Sequence, residues 1–73
     1  MRPSVRLRVT AVLHEPPEEV RRRVAHLDGT RAYVVGTAAG VLVTLERRWA
    51  GPIPSRRSVL RLLERQRAEL MGG

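Results

Sequence analysis

Val5, Leu7, Val9, Ala11 and Leu13 alternate with Arg6, Arg8, Thr10 and Val12, and only an extended chain gives such a period of two a consistent meaning. One side of this strand must be buried. The other carries two arginines on a single face, and these either extend a basic surface or serve as edge charges that discourage aggregation. A strand of this kind cannot stand alone, so the rest of the chain must supply partners for it and an apolar layer to cover one face.

Glu15-Pro16-Pro17 ends the strand. Pro17 suits the first position of a helix, and Glu18 and Glu19 sit where the helix dipole favours anions. Val20, Val24 and Leu27 then recur at spacings of four and three, a short apolar stripe, and Asp28-Gly29 supplies the stop. Arg31–Val35 and Gly40–Arg48 read as two further strands joined by a glycine-bounded hairpin loop, with Val41, Val43 and Leu45 on one face and Leu42, Thr44, Glu46 and Arg48 on the other. Trp49 to Pro54 is a proline-rich connector, and Ser55 is a natural N-cap for a helix whose apolar face holds Val59, Leu62, Leu63, Gln66 and Leu70. The predicted elements are strand 4–13, helix 17–27, strand 31–36, strand 40–48 and helix 56–70, with a frayed tail at 71–73.

That order, β-α-β-β-α, predicts an α+β fold. A right-handed crossover makes the first two strands parallel. With the third strand between them the sheet order is 1-3-2 and both helices lie on one face of a three-stranded sheet: a split-βαβ, ferredoxin-like unit lacking its last strand. The rival order, 1-2-3, leaves different edges free. In either case an open edge invites pairing, and a homodimer through the first strand is the expectation. With 73 residues the chain is a single small domain. It buries only about 60% of its unfolded surface, which makes association with a copy or partner attractive.

Composition removes several classes of function. There is no Cys, so disulfide scaffolds and Cys-based zinc sites are excluded. His14 and His26 have no partner at ligand spacing, and no metal or other cofactor is expected. No nucleophile motif is present, and the one close carboxylate pair, Glu18–Glu19, is explained by the helix start, so the reading is not an enzyme. The start MRPSVRLRV lacks the apolar run of a signal peptide. The longest uncharged stretch, Ala32–Leu45, has 14 residues, short of the roughly 20 a spanning helix needs. No membrane partner and a cytoplasmic location follow as expectations.

What remains is charge. Fourteen basic residues, all Arg, stand against seven acids, a formal charge of +7. The absence of Lys, Asn and Phe is what a GC-rich genome would also give, so the preference for Arg reflects codons as readily as phosphate chemistry; the net charge does not depend on that choice. Seven arginines against two acids fall between residues 47 and 73. Arg56 and Arg57 occupy the first turn of the last helix, where the dipole disfavours cations, and Arg57, Arg61 and Arg65 form a like-charged row. Both features make sense if a phosphate sits there, accepting from Ser55, Ser58 and the backbone. Glu64 and Glu69 are spaced to offset part of the row, in which case the face is simply a solvated one with intrahelical ion pairs. The candidate nucleic-acid-binding set is Arg47, Arg48, Trp49, Ser55, Arg56, Arg57, Ser58 and Arg61. Trp49, like Tyr33, is a base-stacking candidate or a residue that closes the edge of a small core.

The stretch Val5–Val24, VRLRVTAVLHEPPEEVRRRV, resembles the opening strand and helix of the C-terminal extension that follows WYL domains in bacterial transcriptional regulators. There a Val- and Arg-rich strand runs into a Pro-x-Glu-Val helix. The likeness spans residues 5–30, and a comparable opening also occurs in START-like lipid-binding folds. Beyond Thr30 the chain departs from the extension, lacking its Leu-rich Trp-Leu helix and closing strand. The resemblance implies a ferredoxin-like topology and a regulatory role toward nucleic acid, and it transfers no functional residue. The expected function is a small accessory protein, of bacterial or phage type, that contacts DNA or RNA phosphates with low sequence specificity. The alternative is a protein-interaction module that docks an edge strand, or its last helix, on an acidic protein surface, with Leu60 exposed among apolar neighbours as its mark.

Overall fold

A computed structural model describes residues 4–72 of the chain. Among these lie β1 (Val5–Leu13), α1 (Pro17–Val24), β2 (Arg31–Thr37), β3 (Gly40–Trp49) and α2 (Arg56–Leu70). The fold is α+β, with a three-stranded antiparallel sheet in the order β1-β3-β2. β3 is antiparallel to both neighbours, so β1 and β2 run parallel to each other as the two edges, and the rival order with β2 in the middle is excluded.

Residues paired directly across strands share a face. Val9, Leu45 and Ala32 therefore make one row, and Ala11, Val43 and Val34 the next. Against these rows α1 places Val20 and Val24, and α2 places Val59, Leu63 and Leu70, in one buried cluster. Both helices thus cover the same face. Beside Val59, Leu63 and Leu70, α2 packs Leu60 onto this cluster, and the expected Leu62 is not among the residues packed there.

Element ends differ from the sequence expectation where local hydrogen bonds decide them. Ser4 lies outside β1, and β2 and β3 each run one residue further, to Thr37 and Trp49. Only Ala38 and Ala39 are left between the paired strands, and the Thr37 hydroxyl donates to the Gly40 carbonyl at 2.6 Å. Gly40, at φ 138°, leaves no room for a side chain, since a Cβ would lie 2.9 Å from the Leu13 carbonyl oxygen.

α1 stops at Val24 instead of Leu27. The Leu27 N–H donates to the Val24 carbonyl three residues back, at 3.2 Å, and tightens the chain into a turn from which Leu27 still reaches the core. At the other end, Ser55 Oγ accepts from the Ser58 N–H at 3.1 Å and caps α2. Met71 and Gly72, expected to fray, close the helix with bonds to the Arg67 and Glu69 carbonyls; the rest of that tail, Gly73, lies outside the described residues.

Polar ties hold the layers in place. Arg23 of α1 donates to the Leu70 carbonyl at 3.2 Å and pairs with Glu15, joining the two helices to the end of β1. Arg67 of α2 reaches the Thr10 carbonyl on β1 at 3.4 Å. Leu63 is fully buried, whereas Leu62 is only half-buried. Leu63→Ala is therefore expected to remove about 2–5 kcal/mol of stability, and Leu62→Ala less than half as much, as measured by urea denaturation.

Candidate nucleic-acid interface

Among the described residues the other face of the sheet carries no helix. Its rows, read across β1, β3 and β2, are Arg8–Glu46–Arg31, Thr10–Thr44–Tyr33 and Val12–Leu42–Val35, with Arg6 opposite Arg48 beyond the first. Four guanidinium groups therefore surround one carboxylate. Glu46 is 5% exposed and is the buried charged residue of the described chain. Such burial is tolerable only with cations beside it. Arg6 approaches Glu46 Oε1 through Nε at 3.5 Å, and Arg8 approaches Oε2 through Nε at 3.4 Å. Among the described residues the terminal Nη groups of Arg6 and Arg8 make no hydrogen bond, and Arg31 and Arg48 have no carboxylate partner. The neighbouring Tyr33, and more weakly Glu46, hold the Arg31 guanidinium above its already high ordinary pKa.

β3 runs on past the start of β2, because Arg31 pairs with Glu46 and residues 47–49 have β1 alone beside them. The step leaves a notch of about 350 Å³ lined by Arg6, Gly29, Arg31, Glu46, Arg47 and Arg48. Four positive charges against one negative line this hollow, and it is open to an anion.

The eight residues expected to form one site are divided by the fold. Arg47 and Arg48 are adjacent in a strand and point to opposite faces. Arg48 joins the open face. Arg47 turns to the loop before β2, where Nη1 donates to the Asp28 carbonyl at 2.9 Å and to Thr30 Oγ1 at 3.0 Å. Its guanidinium lies over Gly29, where a Cβ would come within 2.9 Å of Nη2. The Thr30 hydroxyl in turn donates to Gln66 Oε1 of α2 at 2.7 Å. Arg47 thus ties β3 to the loop and, through Thr30, to α2, while still forming one wall of the notch.

Trp49 packs against the core, and its Nε1 donates to the Pro54 carbonyl at 2.8 Å. The indole closes the connector rather than presenting an open stacking surface. Ser55 and Ser58 are engaged with each other, Oγ to Oγ at 2.9 Å, besides the cap. Arg56, Arg57 and Arg61 do gather, around a shallow groove with Leu60 and Glu64 on the outer side of α2. That side faces away from the open sheet face, so the expected convergence with Arg47 and Arg48 on one surface does not occur. Glu64 and Glu69 form no ion pair among the described residues, and the row Arg57, Arg61, Arg65 is not neutralised by them. Leu60 is half-buried against the core with charged neighbours, not the exposed apolar group of a docking helix.

Of the residues on this face, Arg31 and Glu46 carried no functional signal in the sequence, whereas Tyr33 was a stacking candidate and Arg6 and Arg8 a candidate basic surface. The alternation of β1 placed Arg6 and Arg8 on one face, and that of β3 placed Glu46 with Arg48, but only the strand register brings the two pairs together.

Among the described residues no three His, Asp or Glu side chains gather as metal ligands do, and no helix is long and apolar enough to cross a membrane. Comparison with known protein families, curated proteins and solved structures gives no match.

The Trp49 connector depends on Gly51, which sits at φ 42° with the indole against it; a Cβ there would lie 2.5 Å from Trp49 Cζ2. Gly51→Ala should lose about 1–3 kcal/mol and shift the tryptophan emission to the red, both readable in a thermal melt followed by fluorescence.

Proposed function

We propose that the protein is a non-enzymatic nucleic-acid-binding accessory protein that holds backbone phosphates on its open sheet face through Arg6, Arg8, Arg31 and Arg48, with little sequence specificity. The observation that carries this reading is the arrangement around Glu46: one buried carboxylate steadies arginines by their Nε atoms and leaves the outer guanidinium nitrogens free. Guanidinium groups preset in this way lose less freedom on meeting a phosphate than solvated ones do. Released counterions then supply the driving force. The arginines on the outer side of α2 add to the positive field that draws an anionic polymer in, without touching the same stretch of it.

Base-edge readout would fall to the arginines themselves, since the face carries no side-chain amide. Gln66 is the one side-chain amide of the chain, and it is occupied by Thr30. The strand order is consistent with a split-βαβ, ferredoxin-like unit lacking its last strand. That is the topology implied by the resemblance of residues 5–30 to the extension of WYL-domain regulators, and a regulatory role toward nucleic acid fits both.

Fluorescence anisotropy with a labelled oligonucleotide tests the reading. The affinity should fall steeply with salt, by roughly 0.7–0.9 in log–log slope for each phosphate neutralised. Arg31→Ala with Arg48→Ala should weaken binding at least about tenfold, a loss of about 1.4 kcal/mol. Arg56→Ala with Arg57→Ala should weaken it far less; the reverse ranking would move the site to α2, and a response indifferent to salt would remove phosphate binding altogether. Glu46→Gln should lower stability in the same urea titration, because Arg6 and Arg8 then lose the charge that seats and balances them.

A further inference from the structure

Resting on that reading, we infer that the nucleic acid taken by this face is single-stranded, its phosphates at the arginine end and its unpaired bases on Tyr33 and the row Val12–Leu42–Val35. Three observations point there. The face is divided along the strands: cations surround Glu46 at one end, a tyrosine and two threonines follow, and an unbroken cross-strand apolar row lies at the other end. The far rows are open, with Tyr33 43%, Val12 45% and Val35 54% exposed and no helix above them. Along β2, Arg31, Tyr33 and Val35 succeed one another on this face at about 7 Å per step, comparable with the reach from a phosphate to the base it carries.

Charge complementarity selects the occupant. A second copy laid face to face would bring more arginine and no free carboxylate, since the one acid of the face is already paired. A duplex offers phosphates and base edges to a flat sheet and would leave the apolar row in water. An unpaired strand offers both anionic groups and flat rings, and rings stack on an aromatic side chain whatever their identity. Thr10 and Thr44 flank Tyr33 with hydroxyls that can bond to a base or sugar without selecting one.

The experiment compares labelled probes of about ten nucleotides: a single strand, the same strand annealed to its complement, and the same backbone with every base removed, with phosphatidylserine vesicles as a fourth ligand. The single strand is expected to bind at least about tenfold more tightly than the duplex or the abasic strand. Tyr33→Ala should lose about fivefold or more on the single strand and nothing on the abasic strand, and Tyr33→Phe should retain most of the difference. Should Tyr33→Ala fail to fold by circular dichroism, the wild-type comparison of intact and abasic strands decides alone. Equal affinity for all three nucleic-acid probes would overturn this inference and leave phosphate binding standing. Absence of binding to any of them would overturn both, as would binding to vesicles in place of oligonucleotides.

Discussion

A carboxylate held almost out of water among four guanidinium groups organises the uncovered side of this molecule. Glu46 sits on the central strand, and its two oxygens are approached from β1 by Arg6 and Arg8, with Arg31 and Arg48 completing the surround. Without it the arginine end of the sheet would be a set of like charges repelling one another on adjacent strands. With it, the excess remains positive and the side chains have defined places. The placing of the Arg6 and Arg8 side chains derives from this one acid, and the positive excess of the notch from the arginines around it.

The second constraint is economy of layers. Two helices suffice to cover one face of a three-stranded sheet, and the buried cluster formed there by aliphatic side chains accounts for the structural core. Among the described residues no element covers the other face. It is instead graded, from charge through hydroxyl groups to apolar side chains, and this grading is what distinguishes it from an ordinary solvated surface.

The fold was largely legible because its signals are local. Alternation in Val5–Leu13, the Pro17 start with its acids and the Ser55 cap each specify an element through nearby chemistry, and all lie where they were read. The end of α1 was misplaced because a three-residue hydrogen bond leaves the same spacing of apolar residues as one more helical turn. The site was much less legible. Charge density along the chain pointed to Arg47–Arg61, yet adjacent strand residues diverge and α2 presents its arginines on the opposite side of the molecule. The cluster that does form draws Arg6 and Arg8, Arg31, and Glu46 with Arg48 from three strands. Their proximity is a property of register, which no composition or spacing encodes.

The link from Arg47 through Thr30 to Gln66 bears on how uniquely the layers dock. A core of valines and leucines is chemically repetitive, and a helix lying on it meets nearly equivalent seats when it slips along or rolls about its axis. A chain of directional bonds has no such equivalents: displaced by a fraction of a side-chain length, guanidinium, hydroxyl and amide all lose their partners together. The three residues work as an indexing pin between helix and sheet. They also hold the backbone just before Arg31, so the seating of α2 and the placement of one arginine of the open face are set by the same fastener.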